Sequence, residues 1–279
     1  MDRKLRGAAL ASAALALVAA GCGSSNKSSS NTVAAKPAKP AQSSSGMMSA
    51  DTGARLSVAL PKPSKVISAN SVPTEVRVSH FKVDCRFAGT PNRMGVGHYH
   101  IELDGKLINM FCQDRASVSL QNVKPGKHTL MFIPAEDDHT DDMKATKKVS
   151  FVYKPAHPLK AIAGEKSSAK PSIRILSPKP GTTVHGGFDL TVAPKNFEFS
   201  CALYGKDDIP GYGHWHINVD STKKGMMGMG TMLGMSCQRT FHVSLAGIKP
   251  GKHTFFAILE DNQHAPTPGA QDSVTLNVG

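Results

Sequence analysis

The chain has 279 residues, a formal net charge of +12, 12 histidines and an aromatic content of only 6%. That length is enough for two domains of common size, each with its own apolar core. Few aromatic residues and the lack of a basic helix argue against nucleic acid as a partner. We take the positive charge as serving solubility, and contact with anionic lipid or a cell-wall polymer is the alternative.

Residues 1–21 form a predicted secretory targeting segment. A basic start precedes an apolar run of small side chains, which is too short for a good membrane span. The residues leading to Gly21-Cys22 resemble the lipobox of bacterial lipoproteins, with Ala19 where Leu is usual. The resemblance implies cleavage before Cys22 and its lipidation (palmitate), which anchors the protein to the extracytoplasmic face of the cell membrane. Plain secretion with cleavage elsewhere is the alternative.

The rest of the chain contains a tandem duplication. His98 recurs as His214, a shift of 116 residues, whereas Cys112 recurs as Cys237, a shift of 125. The second copy therefore carries nine extra residues, which fall within the Gly- and Met-rich segment Lys223–Met235. Two copies of domain length, rather than many short ones, predict two separate domains and not a solenoid.

Composition then divides the chain into segments. Residues 22–52 are rich in Ser, Ala, Lys and Pro and predict a disordered tether, and residues 155–171 form a Pro/Ala/Lys linker. Repeat 1 is assigned to residues 53–154 and repeat 2 to residues 172–279. Both repeats contain short strand-like segments between Pro/Gly turns, which predicts an all-β fold of two β-sandwiches. The predicted strands are Glu75–Val83, His98–Leu103, Ala116–Leu120, His128–Ile133, Lys148–Tyr153 and Ser273–Val278.

Each repeat contains one strand with two histidines separated by a single residue, in GHYHIELD and GHWHINVD. Because side chains alternate faces along a strand, His98 and His100 share one face, as do His214 and His216. Apolar neighbours claim the opposite face, so we expect the histidines to face solvent. Two such imidazoles can converge on one metal ion, and the alternative is a pair of surface histidines without a ligand.

Four cysteines remain if Cys22 is lipidated, two at matching positions of each repeat. Alternation with phenylalanines predicts that Cys85 and Cys201 point inward, and export favours oxidation. We therefore predict the disulfides Cys85–Cys112 and Cys201–Cys237 as links across the cores. Thiolate metal ligands are the alternative.

Further candidate ligands follow the histidine pairs. His128 and His253 lie in the repeated sequence Pro-Gly-Lys-His-Thr, and His139 and His264 follow acidic loops. Imidazole suits zinc and copper, so four histidines of each repeat are candidate metal ligands. The alternatives are an ordered turn for the first two and solvated surface for the loop histidines.

A methionine cluster is confined to repeat 2. Thioethers select Cu(I), which extends the metal hypothesis to copper, and the alternative is an apolar loop that covers core or partner surface. Its members are Met226, Met227, Met229, Met232 and Met235.

These motifs together resemble an uncharacterised family of bacterial exported domains. That family has a Gly-His-His-His strand, a Pro-Gly-Lys-His-Thr-Leu turn and an Asp-x-x-His loop, and the resemblance implies Ig-like repeats. Tyr99 and Trp215 replace the middle histidine of the family's strand, and the family's second loop histidine is missing. The family has no established reaction, so the resemblance implies an architecture and not an activity.

Signatures of catalysis are weak, since the chain lacks a Gly-x-Ser-x-Gly elbow, a phosphate loop and a His-Glu-x-x-His motif. The histidine strand resembles that of copper-zinc superoxide dismutase, but the spacing of that enzyme's zinc loop is missing. The close group of Cys, His and Met that a blue-copper site needs is also missing. Our leading hypothesis is a non-enzymatic binding or spacer module whose partner is a cell-wall polymer or an envelope protein. Binding of copper or zinc by the histidine sets is the second hypothesis, and an enzyme is the third.

Overall fold

The structure, a computed structural model, describes residues 49–165 and 169–279, without the side chains of Met226 and Met227. The targeting segment, Cys22 and the tether up to residue 48 lie outside the described residues and stay predictions, as do the domain boundaries. Among the described residues no helix is long and apolar enough to cross a membrane.

The described residues form eighteen strands and three short 3₁₀ helices. The strands of repeat 1 are β1 (Arg55–Leu60), β2 (Val66–Ile67), β3 (Ser71–Ser79), β4 (Lys82–Val83), β5 (Val96–Leu103), β6 (Lys106–Phe111), β7 (Arg115–Ser119), β8 (Gly126–Glu136) and β9 (Lys147–Tyr153). Those of repeat 2 are β10 (Ser172–Ser177), β11 (Thr183–Val184), β12 (Gly187–Lys195), β13 (Glu198–Phe199), β14 (Tyr212–Val219), β15 (Met232–Ser236), β16 (Thr240–Ser244), β17 (Gly251–Glu260) and β18 (Pro266–Val278). The 3₁₀ helices are Cys85–Phe87, Cys201–Leu203 and Met226–Thr231.

Each repeat is a sandwich of a three-stranded and a six-stranded sheet. In repeat 1 the order β1-β3-β7 faces β2-β9-β8-β5-β4, with β6 also paired to β5. In repeat 2 the order β10-β12-β16 faces β11-β18-β17-β14-β13, with β15 paired to β14. The all-β sandwich class is confirmed, and the histidine strands β5 and β14 lie at equivalent places in the two larger sheets.

One predicted strand is interrupted. The segment predicted as a single strand from Glu75 to Val83 divides into β3 and β4, because His80 adopts a left-handed backbone with φ of 60°. Asn196, at the equivalent place in repeat 2, does the same with φ of 55°. The polar residue therefore turns the chain from one sheet of the sandwich to the other.

Both predicted disulfides, Cys85–Cys112 and Cys201–Cys237, are present. The predicted inward position of the first cysteines is wrong, since Cys85 is half-buried and Cys201 is exposed. Each begins a 3₁₀ helix, which breaks the alternation of a strand, and in repeat 1 the side chain of Asp84 caps it by accepting from the Arg86 N–H. The disulfides indicate an extracytoplasmic location, where such bonds persist.

The apolar core of repeat 1 continues into repeat 2. Repeat 2 has a buried cluster of its own, whereas the cluster around Ile101 and Phe132 of repeat 1 also contains Met229, Met232 and Met235. The inserted methionine segment of repeat 2 thus packs on repeat 1, and the two sandwiches are joined by an apolar contact as well as by the linker.

The last residues of the predicted tether belong structurally to repeat 1. The N–H of Ala50 donates to the Asp141 carbonyl at 3.0 Å, and the N–H of Thr52 donates to Oδ2 of Asp142 at 2.9 Å. Ala50 and Thr52 are both buried. Ala50 and Thr52 fall within the predicted tether, and their backbone groups find partners in the loop after β8.

Candidate metal centres

Three histidines of repeat 1 bring one ring nitrogen each to a common point. Nε2 of His98 lies 3.0 Å from Nε2 of His100 and 3.0 Å from Nδ1 of His139. The nitrogens of His100 and His139 are 3.4 Å apart. We call this group triad 1.

Repeat 2 repeats the arrangement at equivalent positions. Nε2 of His214 lies 3.0 Å from Nε2 of His216 and 3.0 Å from Nδ1 of His264, and the last two nitrogens are 3.3 Å apart. We call this group triad 2. The two triads bring together six of the eight histidines that the sequence proposed as metal ligands.

Local sequence explains how strand and loop meet. Gly97 precedes the histidine pair, and a Cβ there would lie 2.2 Å from the carbonyl oxygen of Ala135 on β8. Gly213 is equally tight against the carbonyl oxygen of Glu260 on β17, at 2.1 Å. Only glycine permits this close approach, which brings the end of each neighbouring strand, and the loop beyond it, against the histidine pair.

The loop histidines have an uncommon backbone conformation. His139 has φ of 65° and His264 has φ of 64°. Left-handed backbone is unusual for residues other than glycine and often marks functional sites. Here it turns each ring towards the histidine pair at the end of a short turn, in which the His139 N–H donates to the Glu136 carbonyl at 3.0 Å.

Each ring of triad 1 has an inner nitrogen at the common point and an outer nitrogen that points away from it. The hydrogen-bond partners of the outer nitrogens determine which inner nitrogens carry lone pairs. Nδ1 of His100 lies 2.7 Å from Oδ1 of Asp141, and Nε2 of His139 lies 2.8 Å from the Met232 carbonyl oxygen. Carboxylates and carbonyls accept hydrogen bonds, so these outer nitrogens carry the protons when the rings are neutral. The inner nitrogens of His100 and His139 then present lone pairs, as metal-bound histidines do when an acceptor holds the outer N–H.

Triad 2 has a different acidic neighbour. Nε2 of His264 donates to the Leu107 carbonyl oxygen at 2.9 Å, but the carboxyl near Nδ1 of His216 is that of Glu260, at 3.6 Å. Glu260 is buried and its Oε2 has no hydrogen-bond partner. Burial, with a smaller contribution from Asp261, raises the pKa of Glu260 to about 9.

The outer hydrogen bonds of the loop histidines cross from one repeat to the other. His139 of repeat 1 bonds to Met232 of repeat 2, and His264 of repeat 2 bonds to Leu107 of repeat 1. Leu107 and Met232 are equivalent positions, separated by the 125-residue shift of the duplication. The repeats therefore face each other with approximate two-fold symmetry, and each helps to hold the other's triad.

Burial favours the neutral ring at five of the triad histidines. The six triad histidines are between 0% and 4% exposed. Desolvation lowers the pKa of His139 and of His264 to about 4. It also lowers the pKa values of His98, His214 and His216 well below the usual value, and neighbouring histidines add to the effect. Neutral imidazole is the form that binds a metal ion.

The expected solvent exposure of the histidine pairs is wrong. Alternation correctly placed Tyr99 and Ile101 in the core and the histidines on the opposite face of β5. That face is not solvated, however, because the loop after β8 and the second repeat cover it. A polar strand face in one repeat has become part of an internal contact between two.

Two predicted ligands lie elsewhere. Nδ1 of His128 lies 2.6 Å from Asp104 Oδ2 and its Nε2 lies 2.8 Å from the Lys124 carbonyl oxygen, both of which are hydrogen-bond acceptors. His253 makes the same contacts with Asp220 and Lys249, at 2.7 and 2.8 Å. Both therefore hold the turn before β8 or β17, and they do not join the triads as ligands.

The methionine ligands are also corrected. Met229, Met232 and Met235 are buried in the apolar cluster shared with repeat 1, which is the packing alternative considered for this segment. Met232 contributes a backbone oxygen to triad 1 and not a ligating atom. Met226 and Met227 begin a 3₁₀ helix, and their side chains lie outside the described part of the chain.

Asp141 and Glu260, whose carboxyl groups lie beside His100 and His216, are not among the residues predicted from the sequence. Asp141 lies just beyond the acidic loop, where an acid next to a candidate ligand is a usable signal. Glu260 opens the acidic stretch before His264 and is the last residue of β17. Its place beside His216 follows from strand register, which pairs Glu260 with His214.

The spacing of the triad nitrogens suits one ion each. Nitrogens bound at 2.0–2.1 Å in a tetrahedral site lie about 3.3–3.4 Å apart, close to the observed 3.0–3.4 Å. Three imidazoles on one side leave a fourth position for another ligand. Each triad can therefore hold a zinc or copper ion with little movement.

No protein-family model matches the chain, and no curated protein matches it. Among solved structures, the chain is similar to fibronectin(III)-like modules of Clostridium thermocellum CbhA, at 13% identity and a TM-score of 0.25, over 80% of this chain and 93% of that one. It is similar to the FN1-FN3 domains of chicken CNTN1 at 8% identity and a TM-score of 0.22, over 77% and 62%. It is also similar to an endo-beta-1,4-mannanase from Thermotoga petrophila at 14% identity and a TM-score of 0.25, over 41% of this chain and 21% of that one. Likenesses this distant indicate no activity or ligand, so the sandwich fold rests on the strand order described above.

Proposed function

We propose that this protein is a non-enzymatic metal-binding module that holds two zinc or copper ions per chain, one in each triad. The observation that carries the proposal is the convergence of three imidazole nitrogens at 3.0–3.4 Å in each repeat.

Hydrogen bonds alone do not satisfy the three inner nitrogens of triad 1. In triad 1 the inner nitrogens of neutral His100 and His139 both present lone pairs, and only Nε2 of His98 remains as a donor. One donor placed between two acceptors leaves His98 Nδ1 as a buried lone pair without a partner. His98 Nδ1 has no partner in either tautomer, so the difference lies at the common point: a cation there accepts all three inner lone pairs, whereas a purely structural network has one proton for two acceptors.

The ligand set favours borderline transition metals. Imidazole suits zinc and copper, whereas magnesium and calcium prefer oxygen ligands. Asp141 beside His100 strengthens that ring as a ligand, in the manner of the carboxylate–histidine pairs of zinc sites. Copper and zinc are therefore the two ions to compare, as the histidine content of the sequence suggested.

Burial supports retention of ions and not catalysis. A catalytic metal needs an open position that substrate can reach. The triads are at most 4% exposed, and a cleft of about 840 Å³ in repeat 2 is lined by Phe199, Tyr212 and Arg239 and by none of the triad histidines. The proposed role is therefore to take up, carry or store ions.

The cellular setting forms part of the proposal. The lipobox resemblance at Cys22 supports attachment to the outer face of the membrane, with the tether separating the triads from the lipid. The Ig-like family resemblance agrees with an exported two-sandwich chain. Changing Cys22 to Ser should release the protein from the membrane or block its maturation, and unchanged membrane association would refute the anchor.

The metal proposal is tested by counting ions. The whole exported chain should bind two equivalents of Zn(II) or Cu(I) in a titration with a competing chelator. The variants His98→Ala/His100→Ala and His214→Ala/His216→Ala should each bind one, because each removes two of three ligands from one triad.

His242→Ala serves as the matched control. His242 also lies beside a carboxylate, with Nδ1 2.8 Å from Asp189, but its side chain is 70% exposed and belongs to no triad. It should leave two ions bound. A parent chain that binds no ion, or double variants that bind two, would refute the proposal.

A further inference from the structure

The contact between the repeats is built around the triads. His139 reaches across to the Met232 carbonyl at 2.8 Å, and His264 reaches back to the Leu107 carbonyl at 2.9 Å. Each of these bonds fixes the outer nitrogen of a ring whose inner nitrogen belongs to a triad. The geometry of each triad therefore depends on the position of a strand in the other repeat.

Two glycines make this approach possible. A Cβ on Gly89 would lie 2.6 Å from the carbonyl carbon of Met232, and a Cβ on Gly205 would lie 2.5 Å from the carbonyl oxygen of Leu107. These are the same two residues whose carbonyls receive the loop histidines. Gly89 and Gly205 are themselves related by the 116-residue shift. At both places the backbones of the two repeats are therefore too close to admit a side chain on the glycine.

We infer that ion binding and docking of the two repeats are one coupled equilibrium, in which bound ions hold the repeats together and the repeats must part for an ion to enter or leave. This inference rests on the proposed metal function. It adds that the pair of repeats, and not the single repeat, is the binding unit.

Coupling has a reciprocal consequence. Whatever factor docking contributes to ion affinity, ion binding contributes to docking, because the two processes share one thermodynamic cycle. Docking orders the loop histidines before the ion arrives, which removes part of the ordering cost of binding. The apolar contact of Met229 and Met235 on repeat 1 favours the docked state further.

Coupling also predicts how ions leave. All six rings are buried while the repeats are docked, so a chelator in solution has no direct access. Ion removal should then follow the opening of the contact. Its rate should reach a plateau as the chelator concentration rises, whereas an accessible site loses its ion faster with more chelator.

The test changes the contact and leaves every histidine in place. In the whole chain, Gly89→Ala/Gly205→Ala inserts two methyl groups against the facing strands. Gly95→Ala/Gly211→Ala is the matched control, because these equivalent glycines also have positive φ, of 68° and 82°, but no atom lies within 4 Å of an added Cβ. Strain in the glycine backbone is common to both pairs, and only the first pair collides with the other repeat.

Zn(II) and Cu(I) are the probes, measured by chelator competition and by the rate of ion removal. We expect Gly89→Ala/Gly205→Ala to weaken binding by about 10-fold or more and to speed removal, within the usual range of coupling between sites. The control pair should match the parent. Far-ultraviolet circular dichroism of both variants checks that the sandwiches fold. Hydrogen exchange of the parent with and without Zn(II) is a second measurement, with slower exchange expected near Leu107 and Met232 when zinc is bound.

The outcomes separate the two proposals. A parent chain that binds no ion overturns both. A parent that binds two ions, with the contact variant and the control binding as tightly, leaves the metal function standing and overturns the coupling. Removal that accelerates without limit as chelator is added, or exchange that zinc does not slow, also overturns the coupling. Should the contact variant fail to fold, the rate and exchange measurements on the parent decide.

Discussion

Acidification of the ion-free protein from pH 7 to pH 5 is expected to lower its free energy of unfolding by several kcal/mol. The cause is the set of buried histidines, whose pKa values lie below those of the unfolded chain. The unfolded state therefore takes up protons that the folded state excludes. Stability from this source is complete above the unfolded pKa of about 6.5 and is lost as pH falls towards the folded values.

The size of the effect follows from the two loop histidines. His139 and His264 have pKa values of about 4 in the folded chain, so between pH 7 and pH 5 each loses on the order of 2 kcal/mol. His98, His214 and His216 shift in the same direction and add to the loss. Because single domains are stable by only about 5–15 kcal/mol, the change is large.

Glu260 acts in the opposite direction. Its pKa is raised from 4.5 to about 9, so its contribution to stability is complete below the unfolded value and is lost progressively as pH rises from there to about 9. Between pH 7 and pH 5 it offsets on the order of 2–3 kcal/mol of the histidine effect. The variant Glu260→Gln removes this opposing contribution and should show the steeper acid destabilisation.

Urea unfolding of the chelator-treated chain at pH 7, 6 and 5 measures the effect as a shift of the midpoint. The midpoint should fall with pH in the parent and fall further in Glu260→Gln. The control Glu165→Gln changes an exposed carboxyl of the linker and should follow the parent. A midpoint that is flat from pH 7 to pH 5 in both the parent and Glu260→Gln would show that the triads are not buried as described.

Replacement of Gly97 by Ala is expected to destabilise the chain by about 3 kcal/mol or more. The added methyl would lie 2.2 Å from the carbonyl oxygen of Ala135 and 2.7 Å from the ring of Phe81. The first of these is backbone of a paired strand, so relief requires β5 and β8 to separate. That separation also moves His98 and His100 away from His139.

The control for this substitution is Gly105→Ala. Gly105 has φ of 80° and no atom within 4 Å of an added Cβ, so it reports backbone strain alone, about 1–2 kcal/mol. Urea midpoints of the two variants, together with their zinc stoichiometry, check the prediction. A Gly97→Ala chain as stable as the parent would contradict the account of how strand and loop are brought together.

Local pattern predicted the elements well, because it depends on neighbours along the chain. Period-two alternation correctly placed Tyr99 and Trp215 in the cores and each histidine pair on the opposite face. The duplicated cysteines gave the right pairing. Alternation failed at Cys85, where a capped 3₁₀ helix replaces the strand, and at His80, where positive φ turns the chain.

The triads were only partly predictable. Their six histidines were among the candidates, yet nothing in the spacing separated His139, which joins a triad, from His128, which holds a turn. That difference depends on tertiary position, since His128 faces Asp104 across a tight connection while His139 is aimed inward by its left-handed backbone.

The contact between the repeats could not be predicted at all. A polar strand face looks alike in sequence whether water or another repeat covers it. The insertion before β15 was visible, but its function as a packing surface depends on where the second sandwich lies. For this reason separate repeats are unsuitable for ion titrations, because each would lack the carbonyl that orients its loop histidine.

Anomalous diffraction from crystals of the whole chain grown with zinc tests the central claim most directly. The account predicts two strong peaks, one in each triad, with three imidazole nitrogens at about 2.0–2.1 Å from each ion. In triad 1 these are Nε2 of His98, Nε2 of His100 and Nδ1 of His139. Peaks only at His128, His253 or other histidines outside the triads, or no peak at any histidine, would contradict it.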